Sequence, residues 1–351
     1  MMMDEYSLPA QLPALLLPWY REHRRMLPWR EDGQPYHVWV SEIMLQQTRV
    51  EAVKGYYARF LAELPTIQDL AQCDDEKLHK LWEGLGYYSR VRNLKKAAGE
   101  IMTRYGGTFP RDYKAVLALP GIGEYTAGAI CSISFNQPTP AVDGNVLRVC
   151  ARLTDDGASI DLPDTKKKVR TALEAIYPAC AGDFTQALME LGATLCGPNW
   201  KPQCGQCPCA ALCRAFQNGT AESLPVRSPK KEKRQEDRTV FILSCDGRFA
   251  LHRREKKGLL AGLWEFPNVS GRLQLDEAMQ AVEKLGIVPR EVYRQVERKH
   301  IFTHIQWNLR GYYLEAADCT GDFSWFTREE IEETAALPTA FRQFWEEIDY
   351  V

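Results

Sequence analysis

Two domains of unlike class are predicted, an all-α one followed by a smaller α+β one. Three observations predict them. Apolar residues recur at three- and four-residue spacing from Pro9 to about Cys213, a polar stretch free of large apolar residues follows Val226, and β-branched, alternating runs take over at Thr239. Within the first domain, helical patterns fall at 38–50, 52–61, 78–82, 114–119, 125–135 and 146–153. Turn signals lie between them at Pro28, Gly33, Pro65, Gly84, Gly86, Gly106, Gly107 and Pro120. Residues 226–238 read as a linker. Beyond it, 239–243, 248–252, 293–296, 306–314 and 323–326 read as strands, and 276–285 and 328–334 as helices.

Composition narrows the class. The chain has 351 residues, 44 Lys+Arg against 46 Asp+Glu, 45% hydrophobic and 26% charged residues, which suits two sizeable cores and excludes a disordered tail, a collagen-like fibre or a supercharged nucleic-acid binder. Each part is near neutral, so any DNA contact must come from local basic patches. No run approaches the roughly 18 apolar residues of a membrane helix, and the chain reads as cytoplasmic, without a signal peptide. Five of the eleven cysteines, Cys196, Cys204, Cys207, Cys209 and Cys213, fall in one short segment, which points to a metal site. Cys73, Cys131, Cys150, Cys180, Cys245 and Cys319 read as reduced core thiols.

Several motifs carry chemistry. Leu119-Pro120-Gly121-Ile122-Gly123-Glu124 places a Gly-x-Gly between two helical patterns. Gly121 and Gly123 would bring backbone N–H groups at a helix start against a DNA phosphate, or simply make a tight turn. Asp143 precedes a helix and reads as an N-cap first. Glu42 stands among Val38, Trp39, Val40, Ile43, Met44 and Leu45. Apolar walls would raise its pKa toward a general acid's range; alternatively it lies on a solvated stripe with Ser41, Gln46 and Arg49. The thiols at Cys196, Cys204, Cys207 and Cys213 suit zinc or an iron-sulfur cluster, with Cys209 extra. At 84–96, aromatics and cations interleave, as a wedge into a base stack or as a core with a basic face. Residues 166–168 with Arg170 read as a solvated helix face.

Taken in order, these motifs resemble the MutY family of adenine DNA glycosylases in the helix-hairpin-helix superfamily of base-excision enzymes. The resemblance runs through Leu27-Pro28-Trp29-Arg30, Val40-Ser41-Glu42-Ile43-Met44-Leu45-Gln46-Gln47-Thr48, the Gly-x-Gly hairpin, Ala141-Val142-Asp143-Gly144-Asn145, the cysteines and Gly258-Leu259-Leu260-Ala261-Gly262-Leu263-Trp264-Glu265-Phe266-Pro267. It implies a monofunctional glycosylase that flips adenine out of mispairs with 8-oxoguanine or guanine and leaves an abasic site. Glu42 would protonate the adenine and Asp143 stabilise the sugar cation, with Asn145 assisting. Arg30 and Gln186 would line the adenine pocket; Gln47 and Tyr87 would enter the base stack. Tyr125 occupies the position where the endonuclease III branch carries a Schiff-base lysine, which argues against imine chemistry and strand cleavage.

The resemblance further implies a 4Fe-4S cluster on Cys196, Cys204, Cys207 and Cys213, although the first gap here is seven residues against the usual six. Lys201 would then be a phosphate contact. The second domain would be Nudix-like and read 8-oxoguanine through Phe302, Thr303 and His304, where the family has Phe-Ser-His. Its residues 279–286 offer one Glu and a Lys in place of the paired Glu of a Nudix hydrolase, so pyrophosphate hydrolysis is not expected. The implied boundaries are 1–225 for the glycosylase domain, with a six-helix barrel module at about 28–140 and a cluster module from the N-terminal helix and about 141–225. The linker is 226–238 and the Nudix-like domain 239–351. A monomer acting on double-stranded DNA is expected. The rivals are an endonuclease III-like pyrimidine glycosylase/lyase and a non-catalytic iron-sulfur DNA-binding module.

Overall fold

The computed structural model describes residues 6–198, 200–229 and 232–348. Its helices begin with α1 (Leu12–His23), α2 (Pro35–Leu45), α3 (Val50–Glu63), α4 (Ile67–Gln72), α5 (Asp75–Leu81) and α6 (Ser89–Tyr105). They continue with α7 (Tyr113–Leu117), α8 (Glu124–Phe135), α9 (Gly144–Thr154), α10 (Pro163–Glu174), α11 (Ala181–Thr194) and α12 (Arg214–Gln217). Local chemistry explains the starts. Asp74, Asp112 and Asp143 cap α5, α7 and α9 by accepting backbone N–H groups of the first turn, and prolines open α1, α2 and α10.

Two compact units result, Met1–Gln72 with Arg92–Pro229, and Cys73–Val91 with Lys230–Val351. In the first, the apolar face of α9 (Val146, Val149, Cys150, Leu153) packs on Leu12, Leu16 and Tyr20 of α1 and on Phe184, Leu188 and Leu191 of α11. Each such side chain removed from water contributes roughly 1.5–3 kcal/mol. Gly192 permits the close approach of α11 to α9, because a Cβ there would lie 2.6 Å from that of Asn145. The expected helix 38–50 is divided. α2 stops at Leu45 and α3 starts at Val50, with Gln47 between them in a left-handed conformation (φ +58°). Apolar spacing continues across this turn with no Gly or Pro to mark it, so periodicity alone reads through it.

The second unit holds β1 (Arg234–Cys245), β2 (Arg248–Arg253), β3 (Trp264–Glu265), β4 (Asn268–Ser270), β5 (Pro289–Ile301), β6 (Ile305–Ala316) and β7 (Ser324–Thr327). Three further helices are α13 (Leu275–Lys284), α14 (Arg328–Glu333) and α15 (Thr339–Trp345). The sheet order is β3-β2-β1-β6-β5, with β4 also on β1 and β7 on β2; β1 and β6 are parallel. Both faces are covered, which is why Val240-Phe241-Ile242-Leu243 is continuously apolar. Val240 and Ile242 join Phe341 and Phe344 of α15 on one face, while Phe241 and Leu243 join Ala278 and Val282 of α13 on the other.

Three expectations change here. β1 begins inside the segment read as linker, since Arg234–Arg238 pairs with Ile305–Leu309 of β6 through main-chain bonds that polar side chains do not prevent. Trp307 Nε1 donates to Glu236 (2.8 Å), and the Arg238 guanidinium lies 4.5 Å from the Trp307 ring centre. Of the remaining linker, Lys230 and Lys231 lie outside the described residues, as does Asn199 in the cysteine loop. Strands β3 and β4 are too short to leave an alternation, and α15 was not expected. Finally, residues 73–91 group with the C-terminal residues. Lys80 Nζ donates to Ile331 O (3.1 Å), and Glu83 accepts the Leu337 N–H (2.9 Å) and faces Arg342 (3.3 Å).

Candidate active site

A cavity of about 560 Å³ in the first unit gathers seven of the residues singled out from the sequence: Arg30, Glu42, Gln47, Tyr125, Asp143, Asn145 and Gln186. They come from the turns before and after α2, from α2 itself, from α8 and α11, and from α9 with its N-cap. Helix α2 is buried on nearly every side, so Glu42, 6% exposed, lies among apolar walls and not on a solvated stripe. Its carboxylate accepts a short hydrogen bond from the Tyr125 hydroxyl. Asp143 caps α9: Oδ1 accepts the Val146 N–H (2.7 Å) and Oδ2 accepts Asn145 Nδ2 (2.7 Å).

The two carboxyls differ in surroundings. Burial pushes Glu42 up to about 7, helped by the charge of Asp143 and opposed by the Tyr125 hydrogen bond and by Arg30. Burial also raises Asp143, but its opponents are stronger in kind: a backbone N–H, the Asn145 amide and the Arg148 charge all favour the ionised form. Tyr125 is pushed well above its ordinary value by burial and by both carboxylates, so its hydroxyl stays a donor. The arrangement sets two carboxyls in unlike surroundings against the same space, one shut among apolar walls and the other met by hydrogen-bond donors.

Residues with no earlier assignment complete the site. Glu190 on α11, fully buried, accepts Arg25 Nε (2.7 Å) and Arg30 Nη2 (2.8 Å). Burial opposes its charge, yet hydrogen bonds from Arg25 and Arg30 outweigh that and hold the carboxyl below its ordinary value. Glu190 thereby fixes the side of Arg30 that faces the cavity. Arg148 donates to Asn145 Oδ1 (2.9 Å) and to Cys196 O (2.7 Å), while Arg152 donates to Cys196 Sγ (3.1 Å). The amide orientation of Asn145 is thus set from both ends. Lys166, Lys167, Arg170 and Arg227 line a second cleft of about 850 Å³ whose walls include Tyr125, Asp143 and Gly144, and residues 166–168 are solvent-exposed, as expected of a solvated face.

The two hairpin glycines differ. Gly121 is required by the fold itself, with φ +75° and a would-be Cβ 2.6 Å from that of Asn93. Gly123, the N-cap of α8, has φ −98° and open space where a Cβ would be. The protein's own packing does not require glycine there; a closely approaching backbone or phosphate would. Of the interleaved aromatics and cations at 84–96, Arg90 is buried, donating to Leu85 O (2.9 Å) with its guanidinium over Trp82 (5.3 Å) and Tyr87 (5.5 Å). Lys201 pairs with Glu222 at 3.0 Å.

Tyr87, Phe302, Thr303 and His304 belong to the second unit. Residues 302–304 form the hairpin between β5 and β6, closed by the Phe302 N–H on Ile305 O (2.8 Å). Phe302 packs edge-on against Trp307 (4.8 Å), leaving Thr303 and His304 exposed. The Tyr87 hydroxyl lies 3.1 Å from Thr303 Oγ1. Cys196, Cys204, Cys207 and Cys213 face one small cavity walled by Leu195, Pro202, Phe216 and Ala221. Cys209 does not line that cavity; it is buried in the core formed with α1, α9 and α11, with its thiol in hydrogen-bond contact with that of Cys207.

Residues 40–179 match the model of the HhH-GPD superfamily base excision DNA repair proteins, and residues 238–347 match a NUDIX domain. The adenine DNA glycosylase of Homo sapiens is 36% identical over 395 residues, covering 93% of this chain and 72% of that protein. The chain belongs to the adenine DNA glycosylase family. The Mus musculus adenine DNA glycosylase is 37% identical, covering 93% of this chain and 76% of its own length. Among solved structures, the glycosylase is similar to a thermostable thymine-DNA glycosylase (TM-score 0.54, 29% identity, 59% of this chain and 95% of that one). It is also similar to endonuclease III in a trapped covalent DNA intermediate (TM-score 0.50, 25% identity, 60% of this chain and 99% of that one). The expected architecture, a helical helix-hairpin-helix glycosylase domain followed by a Nudix-like domain, is borne out. Its reaction is hydrolysis of N-glycosidic bonds in DNA base excision repair. Among the described residues no helix is long and apolar enough to cross a membrane.

Proposed function

We propose that this glycosylase excises adenine mispaired with 8-oxoguanine or guanine. The observation that carries the reading is the cavity shared by Glu42 and Asp143 in unlike environments. Adenine swings out of the duplex into the cavity, where Arg30, Glu190's partner, and Gln186 meet its polar edge. Glu42 gives its proton to a ring nitrogen, the C1′–N9 bond breaks with its electron pair going to the base, and the Asp143 carboxylate stabilises the cationic sugar until water adds at C1′. Gln47, on the wall of the cavity, is assigned to the gap left in the stack. The basic cleft beside Asp143, together with the start of α8 at Gly123, suits the phosphates of the strand that carries the adenine. Among the residues lining the cavity there is no lysine, which supports hydrolysis without an imine and disfavours the endonuclease III-like alternative.

Thr303 and His304 are the groups we assign to reading 8-oxoguanine on the opposite strand, with Phe302 anchoring their hairpin. Single-turnover adenine release from duplexes with adenine opposite 8-oxoguanine, guanine or cytosine tests this. The rate is expected to be highest opposite 8-oxoguanine, and Thr303→Val with His304→Ala should shrink that preference about tenfold, the worth of one lost discriminating contact. Equal wild-type rates opposite 8-oxoguanine and guanine would sink the assignment.

The four cysteines fit a 4Fe-4S cluster. All four line one small cavity with Leu195, Pro202, Phe216 and Ala221, and four thiolates from one short loop are the donor set of such a cluster. Cys196, Cys204, Cys207 and Cys213 would hold the cluster, which would cross-link the loop, with Arg152 offsetting charge at Cys196. The purified protein is expected to contain about four irons and absorb near 400 nm. Stoichiometric zinc without iron would refute the cluster.

A further inference from the structure

Two thiols outside the site lie side by side at one end of the sheet. Cys245 closes β1. Asp246 and Gly247 then turn the chain back, both with positive φ (+48° and +73°), so that Cys245 pairs with Arg248 across a two-residue hairpin loop. Cys319 lies between β6 and β7 in a loop held on both sides: the Ala317 N–H donates to Val288 O (2.8 Å), the Thr320 hydroxyl to Gly286 O (3.2 Å) and Trp325 Nε1 to Thr320 O (3.2 Å). Cys245 is buried and Cys319 exposed. Their sulfurs are 2.6 Å apart, with the Asp246 carboxylate within 4.8 Å of both.

Two uses compete, a metal ion held by both thiolates and Asp246, or a bond between the sulfurs. Thiolates sharing one zinc sit roughly 3.8 Å apart, and a disulfide closes to about 2.05 Å. The observed pair is nearer the second. We propose that Cys245 and Cys319 form a reversible disulfide by exchange with a small-molecule disulfide such as oxidised glutathione. The exposed Cys319 thiolate attacks one glutathione sulfur; the glutathione S–S bond breaks, and its electron pair leaves on the other glutathione thiolate, which takes up a proton. Cys245 then loses its proton and attacks Cys319 Sγ, forming the internal bond and expelling the second glutathione thiolate. Two protein thiols are oxidised and one small disulfide is reduced to two thiols.

The bond links residues 74 apart in sequence, tying the end of β1 to the β6–β7 loop. The hairpin 302–304 precedes β6 and Cys319 follows it, so the strand's 12 residues separate them by about 40 Å. Oxidation therefore stiffens the second unit without touching the reading hairpin.

The test equilibrates holoprotein in graded mixtures of reduced and oxidised glutathione, quenches with acid, alkylates and maps peptides. A linked peptide pair containing Cys245 and Cys319 is expected in wild type and absent in Cys319→Ser. The oxidised wild type should melt about 5 °C or more above Cys319→Ser, with base release within twofold in both. The proposal is overturned if both thiols remain alkylated throughout the series, if Cys319 stops at a stable mixed disulfide with glutathione, or if the thiols are protected only by added zinc ion without a linked peptide.

Discussion

Asp143→Asn is expected to remove base release while leaving the fold in place. Asp143 is an N-cap and, in the proposed reaction, the anion that stabilises the sugar cation, and this substitution separates the two roles. Asparagine caps helices about as well as aspartate, so the Val146 N–H keeps an acceptor. The amide loses one favourable contact, since its NH₂ would face Asn145 Nδ2, at a cost of about 1 kcal/mol. Against this, the substitution ends the burial of a carboxylate whose pKa is already raised by that burial. Stability should therefore change by about 1 kcal/mol or less. Chemistry should suffer far more, because an anion placed against a forming cation in a water-poor cavity is worth about 4 kcal/mol, or roughly a thousandfold in rate. Single-turnover adenine release beside a thermal melt reads both quantities. A variant that melts far below wild type, or that keeps near-normal release, would return Asp143 to a purely structural role.

What the sequence made legible depended on how local the signal was. The cysteine loop was readable because its donors sit within one short segment, and the Gly-x-Gly turn because two adjacent residues carry it. Glu42 was legible only as a choice between two surroundings, since the packing of α3 and α8 around α2 is tertiary and buries even the side that periodicity leaves polar. Glu190 carried the same mark as Glu42, a lone carboxylate between Leu188, Met189, Leu191 and Gly192, and could have been found by the same reasoning. Its arginine partners could not, as Arg25 and Arg30 lie about 160 residues away in sequence. The first half of β1 was hidden for another reason. Arg234–Arg238 is polar because its pairing with β6 uses main-chain bonds, so the segment keeps the composition of a linker while forming part of the sheet. Residues 73–91 look helical and are so in part, but the bonds that assign them to the second unit run from Lys80 and Glu83 to residues 331–342.

Glu42→Gln should slow release while making the protein more stable, and the pH dependence of both effects follows from one shift. The folded carboxyl titrates at about 7, above an ordinary value of 4.5, so folding favours its protonated form. Below the ordinary value both states are protonated and the group costs nothing. As pH rises toward 7 the unfolded chain ionises freely while the folded one resists, and stability falls until the folded group ionises as well. Above that, the cost is constant at up to about 3 kcal/mol. Glutamine never bears that charge and can still accept from the Tyr125 hydroxyl, so Glu42→Gln should melt higher than wild type at pH 8, with the gain shrinking toward pH 5. Release moves the other way. Without a proton to give, the variant should lose roughly a hundredfold to ten-thousandfold at neutral pH, and its rate should be flat with pH. Wild-type release should instead decline above pH 7, as the donor ionises. A variant less stable than wild type at pH 8 would mean that the Glu42–Tyr125 bond outweighs burial, and a wild-type rate that rises above pH 7 would make Glu42 a base instead of an acid.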